Sequence, residues 1–359
     1  MSGLRILCIR FSAIGDVAMT VPVVKALATA HPDVHVIMVS RPFARAFYEG
    51  LADNVEFVGL DLKQQRYKGV FGAEHVYHDL RELNPDMVAD LHDVLRTKYA
   101  RMRFRMAGIP VAHIDKHRKG RKELTRQQDK MLVQQPTSFE KYQAVFKELG
   151  LEFNLKKNVP LDIPLPESFI NNRSSESSQQ SSFVINHSSL IVSDCVGIAP
   201  FAAHEGKIYP VQKMEQVIDD LRAAHPDLNI LLFGGGERDE KIFNQWCRKY
   251  DNVYYASAQC NGMREELAVM QQLRCLVSMD SGNMHMASLV GTPVVSIWGA
   301  THPYAGFMGW GQSTDDAVQV SLPCRPCSIY GNKPCMRDDY ACLNMITPSQ
   351  IVSKIERYL

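Results

Sequence analysis

Short β-branched apolar runs alternate along the chain with stretches in which apolar residues return every three or four positions. Residues 4–11, 34–40, 55–60 and 87–91 have the length and character of buried strands. Residues 16–30, 43–50, 94–106 and 139–149 carry helical spacing, the stretch 94–106 being strongly basic. Strands that alternate with helices predict a parallel sheet covered on its faces, because parallel neighbours need a crossover connection.

The pattern then breaks. Pro164 and Pro166 lead into NNRSSESSQQSSFVINHSS, residues 171–189. That composition predicts a flexible linker, with a surface insertion as the alternative. Alternation resumes with strands at 195–199, 229–233, 253–255, 275–279 and 293–298. Helices are expected at 211–224, 240–250, 264–274 and 284–290. The expected organisation is α/β throughout: a domain at 1–165, a linker at 166–192, a second domain at 193–346 and a C-terminal helix in 347–359. Two doubly wound domains place ligands at the carboxyl ends of their strands.

Composition narrows the function. The 359 residues are 45% hydrophobic, enough for sizeable cores. A net charge of +1 argues against a general nucleic-acid binder. Apolar runs fall short of the roughly 18 residues of a membrane span, and the N-terminal run reads as a strand rather than a secretory signal. The expected location is therefore the cytoplasm, where the 9 cysteines are thiols or metal ligands sooner than disulfides.

Candidate chemistry lies in four turns that follow strands. In RFSAIGDVAMTVP, Ser12 and Gly15 precede Asp16 at a helix start. Gly15 admits another molecule close to the backbone, and helix-start N–H groups attract anions. Asp16 is either an ordinary helix-start acid or a functional carboxylate. In GIAPFAAHEGKIYP, Lys207 is either a solvated loop residue or a phosphate partner. In LFGGGERDE, acids after a glycine-rich strand end suit ribose hydroxyls, or simply open a helix. In VSMDSGNMHMASLVGTPVVSIWG, Asp280, Ser281, Gly282 and His285 crowd another helix start. A plain N-cap needs one short polar residue, whereas a diphosphate pocket explains the whole group.

These segments, with DLHDVLRTKYARM, occur in an order that resembles the lipopolysaccharide heptosyltransferase family, glycosyltransferase family nine, over nearly the whole chain. The resemblance implies a GT-B fold of two facing Rossmann-like domains with parallel sheets. It puts the donor, ADP-heptose, mainly on the second domain and the acceptor on the first. It assigns Asp16 as catalytic base and Lys207 as support for the leaving phosphate. It assigns Asp280, Ser281, Gly282, Met284 and His285 to the donor turn and Glu237 to the ribose, with Glu240 as the alternative. The family's usual Trp before the Pro of the lysine loop is Tyr209 here.

The implied reaction is inverting transfer of a heptose to a hydroxyl of a lipopolysaccharide inner core of lipid A–Kdo type, by metal-independent direct displacement. A peripheral contact with the inner membrane follows from such an acceptor. DKHRKGRKELTR, residues 115–126, carries 6 Lys/Arg, expected in a loop of the first domain. Lys119, Arg121 and Lys122, with Ser12 and Gly15, are its acceptor-binding candidates, and Arg96, Lys98, Arg101, Arg103 and Arg105 add positive charge. A solvated face is the alternative. Cys324, Cys327, Cys335 and Cys342 have the spacing C-x2-C-x7-C-x6-C, which suits a structural zinc, with free buried thiols as the alternative. The rival functions are a non-catalytic nucleotide-sugar-binding protein, which would not need Asp16, and a GT-B enzyme using another nucleotide sugar. By analogy with GT-B chains, the last helix is expected to pack on the first domain.

Overall fold

The computed structural model describes residues 3–69, 71–155, 160–165 and 195–359. The expected linker at 166–192 lies outside them. The chain divides into two compact units, one of residues 1–118 and 136–159, the other of residues 119–135 and 160–359.

The first unit follows the predicted alternation. Its elements are β1 (Arg5–Ile9), α1 (Ile14–Ala18), α2 (Val21–Ala30), β2 (His35–Ser40), α3 (Arg45–Tyr48), β3 (Val55–Gly59), α4 (Gly72–Glu82), β4 (Met87–Asp90), α5 (Leu95–Met106) and β5 (Val111–His113). After α6 (Arg118–Thr125), which begins at the unit boundary, α7 (Ser138–Glu148) completes it. The strands form a parallel sheet in the order β3-β2-β1-β4-β5. The direction of strand order reverses between β1 and β4, which places a crevice beyond their carboxyl ends. Leu7, Ile9, Ile37, Val39 and Val88 bury one sheet face against Val76, Leu80, Ala100 and Phe104 of α4 and α5. The helix predicted at 16–30 is interrupted. Pro22 lacks the N–H an uninterrupted helix would use, so α2 restarts with it in its first turn. Helix α7 starts at Thr137, whose hydroxyl accepts from Glu140 N while Glu140 caps Thr137 N in return.

The second unit contains β6 (Cys195–Ala199), α8 (Val211–Ala224), β7 (Asn229–Leu232), α9 (Glu237–Lys249), β8 (Val253–Tyr255), α10 (Met263–Met270), β9 (Cys275–Met279), α11 (Gly282–Leu289), β10 (Val294–Ile297), β11 (Ala317–Val318), α12 (Ala341–Asn344) and α13 (Pro348–Ile355). Its sheet is parallel with the order β11-β10-β9-β6-β7-β8, reversing between β6 and β9. Both central strands are buried throughout, as continuous apolar strands in a doubly covered sheet should be.

Two boundaries differ from expectation. The basic stretch expected in a first-domain loop is largely helical, and from Lys119 it belongs to the second unit. Leu124 is buried, Lys130 Nζ donates to Cys324 O (2.7 Å) and Pro326 O (2.8 Å), and Gln135 N donates to Tyr304 O (2.8 Å). Pro160–Leu165 also joins the second unit, where Leu161 N donates to Leu289 O at 2.7 Å. The last helix buries Ile351 and Ile355 in the second unit's core with Val217, Ile218 and Leu221 of α8. Its amphipathic stripe meets that apolar face. Among the described residues no helix is long and apolar enough to cross a membrane.

Candidate active site

In the first unit, candidate chemistry gathers where β1 and β4 end. Asp16 stands in the first turn of α1, accepts from Ala13 N at 3.2 Å and pairs with Arg10 at 2.7 Å. Arg10 is buried and also donates to Leu91 O at 2.7 Å, so it ties the carboxylate to the end of β4. Gly15 is buried within α1. Ser12 Oγ lies 3.3 Å from Nε2 of His92, a buried residue that the sequence reading missed. Phe11 N donates to His92 Nδ1 at 3.5 Å, which puts the ring proton on Nε2, facing Ser12. Burial pushes His92 down to about 3, with Arg10 and Lys116 adding to the shift, so the ring is neutral near pH 7.

Asp90, fully buried, accepts from His92 N at 2.9 Å and Asp93 N at 3.0 Å, and thereby shapes the turn after β4. Around Asp93 stand Arg101 at 3.0 Å, Lys98 and Arg118 at 3.7 Å and Lys116 at 4.0 Å. Burial pulls Lys116 below its usual value. More cations than carboxylates at one strand end suit an anionic ligand. Of the basic residues singled out in 94–106, Arg101 turns inward to Asp90 and Asp93, and Arg103 turns to Glu74.

In the second unit, the loop after β6 and the turn after β9 meet at the reversal point. Lys207 Nζ pairs with Asp280 Oδ2 at 2.9 Å, and both side chains are largely removed from water, at 14% and 4% exposure. The lysine stem lies against Gly331, where a Cβ would meet it at 2.6 Å. Next in sequence, Ser281 occupies the N-cap of α11 with its side chain making no cap bond. Its hydroxyl lies 3.2 Å from Ser278 Oγ instead. The first-turn N–H groups beginning at Gly282 are therefore left without a side-chain cap, which favours an anion. Met284 and His285 are buried in the same first turn. Tyr209 is fully buried and donates to Ile346 O at 3.0 Å, linking the lysine loop to the approach to α13.

The glycine turn before α9 depends on backbone that only glycine adopts freely, with φ of +151° at Gly234 and +97° at Gly236. Glu237 and Glu240 are both exposed. The acid built into the turn is Asp239, missed at the sequence level, which accepts from Gly235 N at 3.3 Å. Arg238 lies over the Phe201 ring at 4.5 Å. Gly234 N donates to Ser257 Oγ at 3.2 Å, and Ser257 also bonds Glu266, whose burial pushes its carboxyl up to about 7.

The acceptor candidates of 119–122 divide. Lys119 and Lys122 are exposed, whereas Arg121 lies over Phe307 and Tyr330 and donates to the Tyr330 hydroxyl at 2.7 Å. Cys324, Cys327, Cys335 and Cys342 line a single small cavity with Arg325 and Arg337. Burial raises the Cys327 thiol and pushes Cys342 up to about 11. No group of three or more His, Cys, Asp or Glu side chains is placed to hold a metal ion among the described residues. Arg325, itself buried, supplies another anchor by donating to Gly299 O at 2.6 Å and Thr301 O at 2.9 Å.

Solved structures share this architecture along their whole length. A glycosyl transferase family 9 protein from Veillonella parvula matches with a TM-score of 0.72 at 18% identity, over 100% of this chain and 98% of that one. E. coli ADP-heptose lps heptosyltransferase II matches with a TM-score of 0.67 at 17% identity, over 99% and 98%. E. coli heptosyltransferase WaaC, solved with ADP, matches with a TM-score of 0.63 at 16% identity, over 99% and 100%. No curated protein matches the chain by sequence. Two parallel Rossmann-like sheets, each with polar side chains at the reversal of strand order, make up a GT-B fold. The profile of glycosyltransferase family 9 (heptosyltransferase) matches residues 74–340, and the chain belongs to that family.

Proposed function

We propose that this enzyme transfers a heptose from ADP-heptose to a hydroxyl of a lipopolysaccharide inner-core acceptor of lipid A–Kdo type, at the cytoplasmic face of the inner membrane. The observation that carries the donor half is the Lys207–Asp280 pair beside the uncapped start of α11. Negative charge grows on the departing diphosphate as the glycosidic bond breaks. Gly282 and the N–H groups of that turn, Ser281, His285 and Lys207 can receive it. Asp280 then acts mainly through Lys207, which it orients. Glu237 is the ribose acid in this reading, with Glu240 as the alternative; both stand free in solvent at the glycine turn.

The acceptor half rests on Asp16. Arg10 and Ala13 N stabilise its charge, so it takes the hydroxyl proton late, once the new bond to the anomeric carbon is forming. Ser12, aligned by His92, and the backbone at Gly15 line the same strand end. The cations around Asp93, with Lys119, Arg121 and Lys122, suit acceptor carboxylates and phosphates. One direct displacement inverts the anomeric configuration. Incubation with ADP-heptose and a Kdo–lipid A acceptor, read by mass spectrometry and by NMR of the new anomeric proton, should give a single added heptose with inverted configuration. Retention would contradict the displacement. Transfer only from another nucleotide sugar would establish the rival donor, and binding without any transfer the non-catalytic alternative.

A structural zinc on Cys324, Cys327, Cys335 and Cys342 belongs to the same proposal, with catalysis itself needing no metal. The cavity that all four cysteines line supports it. If zinc fills the cavity, elemental analysis finds one ion per chain, and Cys327→Ser together with Cys342→Ser removes it. A zinc-free protein with the same melting temperature would leave four thiols in a loop held by Arg325.

A further inference from the structure

We propose that the outward face of α5 docks this protein on the surface of an anionic lipid bilayer. Helix α5 runs for 12 residues without an acidic side chain. Thr97, Ala100, Arg101 and Phe104 are its buried side. Leu95, Lys98, Met102, Arg105 and Met106 are exposed, and their spacing of three and four puts them on one stripe. Leu95 is 85% exposed, Met102 49% and Met106 76%. Phe71, 73% exposed, stands at the start of α4, the helix that packs alongside α5.

Single exposed apolar residues are ordinary, but three large ones on one helix stripe are not. Among the described residues the helix's contribution to the core comes from Ala100 and Phe104, with Tyr99 packed against them. The cations between the exposed apolar residues select the occupant. Lys98 and Arg105 carry long apolar stems with charged ends, which can reach lipid phosphates while the neighbouring side chains enter the headgroup layer. Arg101 turns to Asp90 and Asp93, Arg103 to Glu74 and Arg96 to Tyr67 O, whereas Lys98, 3.7 Å from Asp93, and Arg105, 3.4 Å from Val111 O, keep their side chains exposed. A second copy seated on this stripe would set Lys98 and Arg105 against like charges. A lipid surface offers opposite charge and deforms to fit a convex helix.

This surface deepens the membrane-lipid acceptor of the proposed function and rests on that reading for its purpose, but its test is separate. Vesicles of phosphatidylcholine, with and without phosphatidylglycerol, contain no acceptor sugar, so co-sedimentation reads docking alone. The full chain should bind the anionic vesicles about tenfold more tightly than the neutral ones, with binding weakened by salt. The triple variant Leu95→Ser, Met102→Ser, Met106→Ser should lose about tenfold in vesicle binding. Its melting curve and its transfer to a short-chain, detergent-free acceptor should be unchanged. The variant Lys98→Gln, Arg105→Gln should lose the preference for anionic vesicles. Equal vesicle binding by the wild type and the triple variant would overturn the proposal, as would a wild-type dimer that the triple variant abolishes. Failure of the transfer assay with vesicle binding intact would count against the proposed function and leave the docking surface standing.

Discussion

Asp16→Asn should lower turnover by about 10²–10⁴-fold, the usual contribution of a positioned acid–base group, with ADP-heptose affinity unchanged. The substitution keeps the size of the side chain and an oxygen able to accept from Ala13 N, the bond seen at 3.2 Å. Arg10 retains its second contact, to Leu91 O at 2.7 Å, so the turn keeps an anchor. What disappears is the negative charge and the capacity to take a proton. Steady-state kinetics should therefore show a fall in kcat with the donor constant preserved. Near-normal turnover would reduce Asp16 to an ordinary helix-start acid.

Lys207→Met should have two effects of different origin. Loss of a charge aimed at the leaving diphosphate should cost about 10²–10³-fold in kcat. Loss of the partner of a carboxylate only 4% exposed should also cost about 3–5 kcal/mol of stability, because Asp280 is left buried and unpaired. The double variant Lys207→Met, Asp280→Asn separates them. It removes the orphaned charge, so urea unfolding should recover most of the lost stability, while activity should stay low. Recovery of activity in the double variant would show that the lysine only neutralises Asp280.

The parts of this protein legible in its sequence are those written locally. Parallel strands buried on both faces must be short and continuously apolar, so β1, β2, β6, β9 and β10 stand out by composition alone. Turns that place Gly and Asp or Ser between such a strand and a helix also show themselves, and Asp16 and Ser281 fall where expected. Pairings across long separations do not. Lys207 and Asp280 each suggest phosphate or sugar chemistry, but their ion pair depends on β6 and β9 being neighbours at the point where strand order reverses. His92 was missed because a single His after a strand has no periodic signature; its meaning comes from lying beside Ser12. Asp239 has no signature of its own in the sequence, because acids in one helical turn look alike until the backbone shows which one faces Gly235.

Destination was the least legible property. The basic stretch 115–126 reads as a loop by charge, yet Arg121 finds two aromatic rings and Leu124 a buried site, and the segment from Lys119 counts with the second unit. The last helix buries Ile351 and Ile355 in the core around α8, a destination its sequence alone does not name. In both cases an amphipathic element announces that it will be covered, while which surface covers it is decided by tertiary packing. The four thiols of the cysteine spacing line one cavity, but spacing alone could not reveal the anchoring role of Arg325.

The most direct test of the central claim is calorimetric titration of the protein with ADP-heptose, with GDP- and UDP-sugars as controls, repeated on His285→Ala. Selective binding of ADP-heptose, weakened about tenfold or more by the substitution, is the expected result if the turn from Asp280 to His285 holds the diphosphate. Binding that His285→Ala leaves unchanged, or no binding of any nucleotide sugar, would contradict the assignment of that turn to the donor.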